Sequence, residues 1–172
     1  MDTGTQAVSI RKVGIMADSH GDAGRIRSAI DYFRLTGCSP IFHALIVNNA
    51  DIESSAIDRR SLEYLQRLPL RRAWHEAAFV HSRPFVDRLG LSCMIGALSL
   101  RDARRYFQDP DRPLLFRGHS HSPQIIAPGG EEDAGGSRGE PRIQWLQAGD
   151  NAVLPAATPC IITCGALIDD SA

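Results

Sequence analysis

Val13-Gly14-Ile15-Met16-Ala17-Asp18-Ser19-His20-Gly21 is an apolar run that ends in a carboxylate, a hydroxyl and an imidazole. A short apolar run bounded by polar residues and glycine predicts a strand with a buried end over 8–17. After Gly21 the period changes. Ile26, Ala29, Ile30 and Phe33 fall at i, i+3, i+4 and i+7, so 22–36 reads as a helix, with Asp22 as N-cap and Gly37 just past its end. A strand that passes through a polar turn into a helix is the building unit of α/β folds. In their open sheets, the carboxyl ends of the strands are where ligands bind.

Two more runs repeat the arrangement. Ala77-Ala78-Phe79-Val80 ends in His81, and Leu114-Leu115-Phe116-Arg117 ends in Gly118-His119-Ser120-His121. Four of the six histidines therefore follow strand-like segments. If 119–121 is extended, His119 and His121 face the same way and serve one site; a turn there would aim them at two neighbouring ions. Imidazoles and a carboxylate gathered at strand ends predict a metal site. Each piece also has a plainer reading: Asp18-x-His20 as a polar strand cap, His81 as a satisfied edge histidine, His119 and His121 as surface residues.

Between these runs, 41–47 reads as a strand and 58–68 as a helix stopped by Pro69. Ser99 and Asp102 form a capping-box pattern opening a helix to Phe107. Residues 128–141 are rich in Gly, Glu and Asp and read as a flexible surface loop. Segments 143–146, 152–154 and 160–163 read as antiparallel strands, with Gly149-Asp150 as a hairpin turn. The expected order is β-α-β-(α)-β-α-β followed by those strands. It gives one α/β domain over 1–172, with a central sheet, a β-rich C-terminal layer and a loose leader over 1–7.

At 172 residues the chain is long enough for one domain with a real core. A formal net charge of -1 gives no attraction to a nucleic-acid polymer or an anionic membrane, so an anionic substrate needs a local cluster of positive charge. Lys12 is the only lysine among 19 basic residues, and arginine abundance alone is no sign of phosphate binding. Cys38, Cys93, Cys160 and Cys164 form no Cys-x-x-Cys pair and read as buried free thiols, which fits a reducing cytoplasm. Residues 1–8 lack the basic start and apolar centre of a signal peptide, and no apolar run approaches the ~20 residues that span a bilayer. Histidine-triad hydrolases are excluded by Pro123 in place of a third histidine, and phosphate-cradling Gly-Lys-Ser/Thr loops are missing.

Taken in order, Met16-Ala17-Asp18-Ser19-His20-Gly21, Phe79-Val80-His81 and Phe116-Arg117-Gly118-His119-Ser120-His121 resemble the calcineurin-like metallophosphoesterase superfamily. The likeness is to its small bacterial and archaeal branch of phosphodiesterases and diadenosine-tetraphosphatase-like proteins. Residues 161–167 resemble that family's Asn-Pro-Gly-Ser-Val segment, so the resemblance spans 9–170. It implies an α+β sandwich of central sheets flanked by helices, with a metal site at the carboxyl ends of the strands. It also implies a two-ion centre, one ion held by Asp18, His20 and His121, the other by His81 and His119. In that chemistry the ions bind phosphoryl oxygens and activate water for in-line attack. Manganese is the expected metal, and iron, zinc, nickel and magnesium are compatible. The implied substrate is a phosphate mono- or diester, with no membrane partner. Arg83, beside His81, and Arg117, beside Gly118, are candidate phosphate contacts; solvated surface arginine is their plainer reading.

The chain departs from the family at one motif. The family's Gly-Asp, whose carboxylate bridges both ions, has no counterpart after Ile41-Phe42-His43-Ala44-Leu45-Ile46-Val47. A segment between the second and third motifs is missing on the simplest account. The next residues, Asn48-Asn49-Ala50-Asp51, then supply Asn48 as an amide ligand and Asn49 in the place of the catalytic histidine; a plain Asn-Asn turn reads equally well. A bridging carboxylate offsets repulsion between divalent ions about 3.5 Å apart, so the second ion is expected to bind weakly or not at all. Two functions follow: a metal-dependent phosphoesterase, or a catalytically weak or inactive protein of that fold that binds a metal or a protein partner.

Overall fold

The computed structural model describes residues 12–19, 22–44, 59–85, 98–130, 139–154 and 158–167. Among them the opening run forms β1 (Gly14–Ala17), and the predicted helix follows as α1 (Ala23–Leu35). The Asp22 carboxylate accepts from the Arg25 amide at 2.9 Å and closes the first turn. Gly37, at φ 78°, takes the left-handed position beyond the other end. Ile26, Ala29, Ile30 and Phe33 are the half-buried residues of α1, the face that their spacing predicts. Gly14 permits this packing, because a Cβ there would lie 2.7 Å from Phe33 Cγ.

β2 (Ile41–Ala44) lies parallel to β1, with Met16 opposite His43, and the two form a sheet of their own. After α2 (Arg59–Gln66) come β3 (Arg71–Trp74) and β4 (Ala77–Val80), an antiparallel hairpin turned at His75-Glu76. β3 was not expected from the sequence: Arg71 and Arg72 break its apolar pattern, and pairing with β4 decides its conformation. α3 (Leu100–Gln108) carries the expected capping box, with Ser99 Oγ accepting from the Asp102 amide and Asp102 Oδ2 from the Ser99 amide, both at 3.1 Å. β5 (Leu114–Arg117), β6 (Gln124–Ala127), β7 (Arg142–Trp145) and β8 (Cys160–Thr163) complete a six-stranded sheet of order β3-β4-β5-β8-β6-β7.

The C-terminal part differs from the expectation. β8 is no member of a separate antiparallel layer; it lies in the sheet between β5, to which it is parallel, and β6, to which it is antiparallel. Cys160, Ile161 and Thr163 are buried, which suits a central strand covered on both faces. Residues 152–154 form no strand. The Gly149-Asp150 turn is present, closed by the Asp150 amide on the Gln147 carbonyl at 3.1 Å, but it leads into irregular chain. β6, unforeseen, pairs with β7, and the described ends of the 128–141 loop meet closely. A Cβ on Gly129 would lie 2.3 Å from the Gly139 backbone.

Strand alternation divides the core. On one face of the large sheet Ala78, Val80, Leu115, Ile126 and Ile161 pack with Ala103, Tyr106 and Phe107 of α3. On the other face the Phe116, Phe79 and Phe42 rings stack in a row, with centroids 5.4 and 4.0 Å apart. Phe42 belongs to β2, so this row joins the small sheet to the large one. The architecture is therefore an α/β sandwich of mixed sheets flanked by helices. No helix among the described residues is long and apolar enough to cross a membrane.

Candidate functional site

Asp18 follows the last residue of β1 with φ 50°, a left-handed conformation that a short carboxylate side chain tolerates better than most. The turn leaves it 5% exposed. Its Oδ2 accepts the His119 amide at 2.7 Å. Its Oδ1 stands 3.9 Å from Nε2 of His81 and 3.9 Å from Nε2 of His121. The ends of β1, β4 and β5 thus meet at one carboxylate.

His119 and His121 have φ of 75° and 54°. Gly-His-Ser-His is therefore a turn, the second of the two conformations considered. The His119 ring stands edge-on to the His81 ring, centroids 5.3 Å apart, while His121 faces Asp18. Three left-handed non-glycine residues within one site are a concentration of backbone strain, worth of order 1–3 kcal/mol each. Gly118 makes the approach possible. A Cβ there would lie 2.6 Å from both Ala17 Cβ and Asp18 Oδ2.

His81 is oriented from the small sheet. Its Nδ1 lies 3.2 Å from the carbonyl of Ala44, the last residue of β2. Donation to that carbonyl fixes the proton on Nδ1 and leaves the Nε2 lone pair toward Asp18. One residue earlier on β2 stands His43, a residue for which the sequence reading gave no role. Burial holds the His43 imidazole below its ordinary value, against the pull of the Asp18 charge and with the help of His81. Burial lowers His81 as well, opposed by the Ala44 hydrogen bond and by Asp18. Both rings are therefore neutral at pH 7, the form in which imidazole binds metals. The available signal for His43 was a lone polar side chain within the apolar run 41–47.

Four buried side-chain atoms among the described residues have no hydrogen-bond partner: Ser19 Oγ, His43 Nε2, Ser120 Oγ and Arg117 Nη2. Ser19 follows Asp18, and Ser120 lies between His119 and His121. Asp18 and His81 act electrostatically on His43, and Asp18 does so on Arg117. Buried polar groups are almost always paired, so four orphans in these segments mark a place built for something else to bind.

Both candidate arginines make hydrogen bonds within the protein. Arg117 is 1% exposed, donates from Nε to the Ser82 carbonyl at 2.7 Å and from Nη1 to Thr163 Oγ1 at 3.3 Å. Burial draws its guanidinium down to about 10, with Asp18 and Cys164 pulling the other way. Its Nη2 keeps no hydrogen-bond partner within the protein. Arg83 donates from Nη2 to both Asp102 oxygens at 2.9 Å and is committed to α3. Cys38, Cys160 and Cys164 are free thiols, and burial pushes Cys164 up to about 12, which keeps it a protonated, weakly nucleophilic thiol at neutral pH. His20, Asn48, Asn49 and Cys93 lie outside the described residues.

Ligands bonded to one ion at about 2.0–2.2 Å stand about 3–4 Å apart, so the 3.9 Å separations of Asp18 from His81 and from His121 suit shared coordination. These are pairwise fits. Among the described residues no three His, Cys, Asp or Glu side chains form a ready-made group for a metal ion.

No protein-family model matches the chain, and no curated protein matches it in sequence. Among solved structures it is similar to a metallophosphoesterase from Sphaerobacter thermophilus, with a TM-score of 0.54 and 18% identity over 90% of this chain and 76% of that one. The two share a fold, an α/β sandwich of mixed sheets. At this identity the likeness is one of fold, and it agrees with the sandwich expected from the ordered motifs.

Proposed function

We propose that the chain is a metal-dependent phosphoester hydrolase, acting on phosphate mono- or diesters at the site around Asp18. The observation that carries this reading is the meeting of Asp18, His81, His119 and His121 at the ends of β1, β4 and β5, in segments that also hold unpartnered buried polar atoms. A divalent ion held there, manganese first among the candidates, would supply Lewis acidity to a phosphoryl oxygen and lower the pKa of a bound water. Asp18 offers the anionic oxygen, and His81 offers Nε2 because Ala44 holds its other nitrogen. The His119 amide fixes the Asp18 carboxylate, and His121 and His119 complete the nitrogen donors. His20 and Asn48 are proposed as further ligands and Asn49 as the residue in the place of the catalytic histidine. Bis-p-nitrophenyl phosphate hydrolysis in manganese tests this: turnover by the wild type and its loss in His119→Ala are expected, and equal rates in both reject the site.

A second reading is a weak or inactive protein of the same fold, binding a metal or a protein partner. It is favoured by β2, whose described residues end Ile41-Phe42-His43-Ala44 without a carboxylate, and by the lack of a ready-made donor triad among the described residues. One ion or none per chain, with no turnover in manganese, would establish it.

A further inference from the structure

We infer that β7 pairs with β7 of a second copy of this chain, antiparallel about a two-fold axis at Gln144, so that two large sheets join edge to edge. β7 closes one side of the six-stranded sheet, with no strand beyond it among the described residues. All of Arg142–Trp145 is exposed, Ile143 at 41% and Trp145 at 64%. The register with β6 shows which backbone groups point outward. Trp145 lies opposite Gln124, and the Leu146 amide donates to the Pro123 carbonyl at 2.9 Å, so Leu146 and Pro123 are a hydrogen-bonded pair of the ladder. In an antiparallel ladder such pairs alternate with non-bonded ones. Arg142 and Gln144 therefore turn their N–H and C=O toward β6, and Ile143 and Trp145 turn theirs away from the sheet. A row of outward N–H and C=O groups is a template for another strand. The edge strand on the far side, β3, carries Arg71 and Arg72 side by side, charges of the kind that discourage such pairing; β7 has Arg142 alone, at its end.

The occupant is a second copy because the strand complements itself. With the axis at Gln144, Ile143 stands opposite the partner's Trp145 and Trp145 opposite the partner's Ile143. Every outward N–H and C=O of these two residues then finds a partner. Ile143 pairs with Ile126, which packs with α3, so Ile143 and Trp145 share the α3 face of the sheet. Aromatic and β-branched side chains are favourable neighbours across a strand pair. On the other face the two Gln144 amides meet, and each can both donate and accept. Arg142 falls opposite the partner's Leu146, so no like charges face each other. An axis at Ile143 fits less well: it sets Trp145 opposite the partner's Pro141, which has no N–H, and leaves the Trp145 carbonyl without a donor. The interface is independent of the chemistry at Asp18.

The test is sedimentation velocity of the full chain from about 1 μM to about 1 mM, a range suited to a small interface. The wild type is expected to pass from monomer to dimer. Gln144→Lys sets two positive charges directly opposite each other at the axis, and should raise the dissociation constant about tenfold or more. Its melting temperature in dilute solution should match the wild type, because the Gln144 side chain is exposed in the single chain. Should that variant fail to fold, Gln144→Cys decides: facing residues of a non-bonded antiparallel pair stand at disulfide distance, so mild oxidation should link two chains through position 144. A wild type that stays monomeric throughout the range overturns the inference, as does a β7 edge that pairs only with a different protein. A dimer that Gln144→Lys leaves intact, or Gln144→Cys chains that cross-link no more than the wild type, place the interface elsewhere and overturn it too.

Discussion

Two helices use an aspartate in their first turn, Asp22 as the N-cap of α1 and Asp102 as the N3 partner of the Ser99 N-cap of α3, and the contrast between them runs through the molecule. Asp102 opens α3 from a side chain 12% exposed, paired with Arg83 and with a Ser99 capping box, and the helix buries Ala103, Tyr106 and Phe107 against the large sheet. Asp22 opens α1 from a side chain 43% exposed, and that helix has no buried residue. The large sheet with α3 is thus the rigid body of the sandwich. The β1-α1-β2 unit is held to it by the Phe42–Phe79 stack, by Ala17 against Ala166 and Gly118, and by the His81–Ala44 contact. The site lies on this boundary. Asp18 and His43 come from the lightly anchored side, and His81, His119 and His121 from the firm side, so the geometry at Asp18 reports how the two halves dock.

The largest effect is expected at the seam itself. Gly118→Ala forces a methyl against Ala17 and Asp18 Oδ2, each 2.6 Å away, and should cost about 3 kcal/mol in urea unfolding while displacing the Asp18 carboxylate. Phosphodiester turnover should fall about a hundredfold, on the scale set by small misplacements of catalytic groups. Unchanged stability and turnover would show that the two halves do not meet as described.

Arg117→Met should cost about 2 kcal/mol, because it leaves the buried Ser82 carbonyl and Thr163 hydroxyl without their donor. The loss should appear in thermal unfolding of the metal-free protein. A variant with wild-type stability but impaired substrate binding would instead support the phosphate role that the sequence raised for Arg117.

Asp102→Ala should cost about 1.5 kcal/mol, at the upper part of the range for helix caps. Burial alone would raise the Asp102 carboxyl, but hydrogen bonds from Ser99 and Arg83 outweigh it and hold it below its ordinary value. With the folded value depressed, the contribution is complete above about pH 4 and drains away as pH falls through the lower folded value. Asp102→Asn should therefore flatten the acid side of the stability profile, and an unaltered profile would argue against the pairing.

The smallest effect is the matched one on the other side. Asp22→Ala removes an exposed cap and should cost about 0.5 kcal/mol by the same measurement. A cost equal to that of Asp102→Ala would erase the contrast between a firm and a lightly anchored half.

Much of this was legible in the residues. The strand ends at Asp18, His81 and Gly118, both helix caps and the half-buried face of α1 follow from local pattern, because apolar period and capping chemistry act within a few residues. β3 and β6 were not legible, since pairing with β4, β7 and β8 decides them more than their own composition. His43 was hidden for the same reason: in sequence it is one polar residue in an apolar run, and only the register with Met16 sets it beside β1, within the influence of the Asp18 charge. Arg117 reads as a surface arginine until β5 is placed beside β8, where Thr163 and the Ser82 carbonyl enclose it.

By itself the sequence determined the class of fold and the donor types at the strand ends, because those depend on hydrophobic period and on which side chains terminate each run. The tertiary structure alone decided which donors share a carboxylate, that His119 and His121 part company in a left-handed turn, and that β8 lies within the sheet rather than in a separate layer. Those facts depend on contacts between residues as far apart as Asp18 and His119, and no local pattern encodes the distance between them.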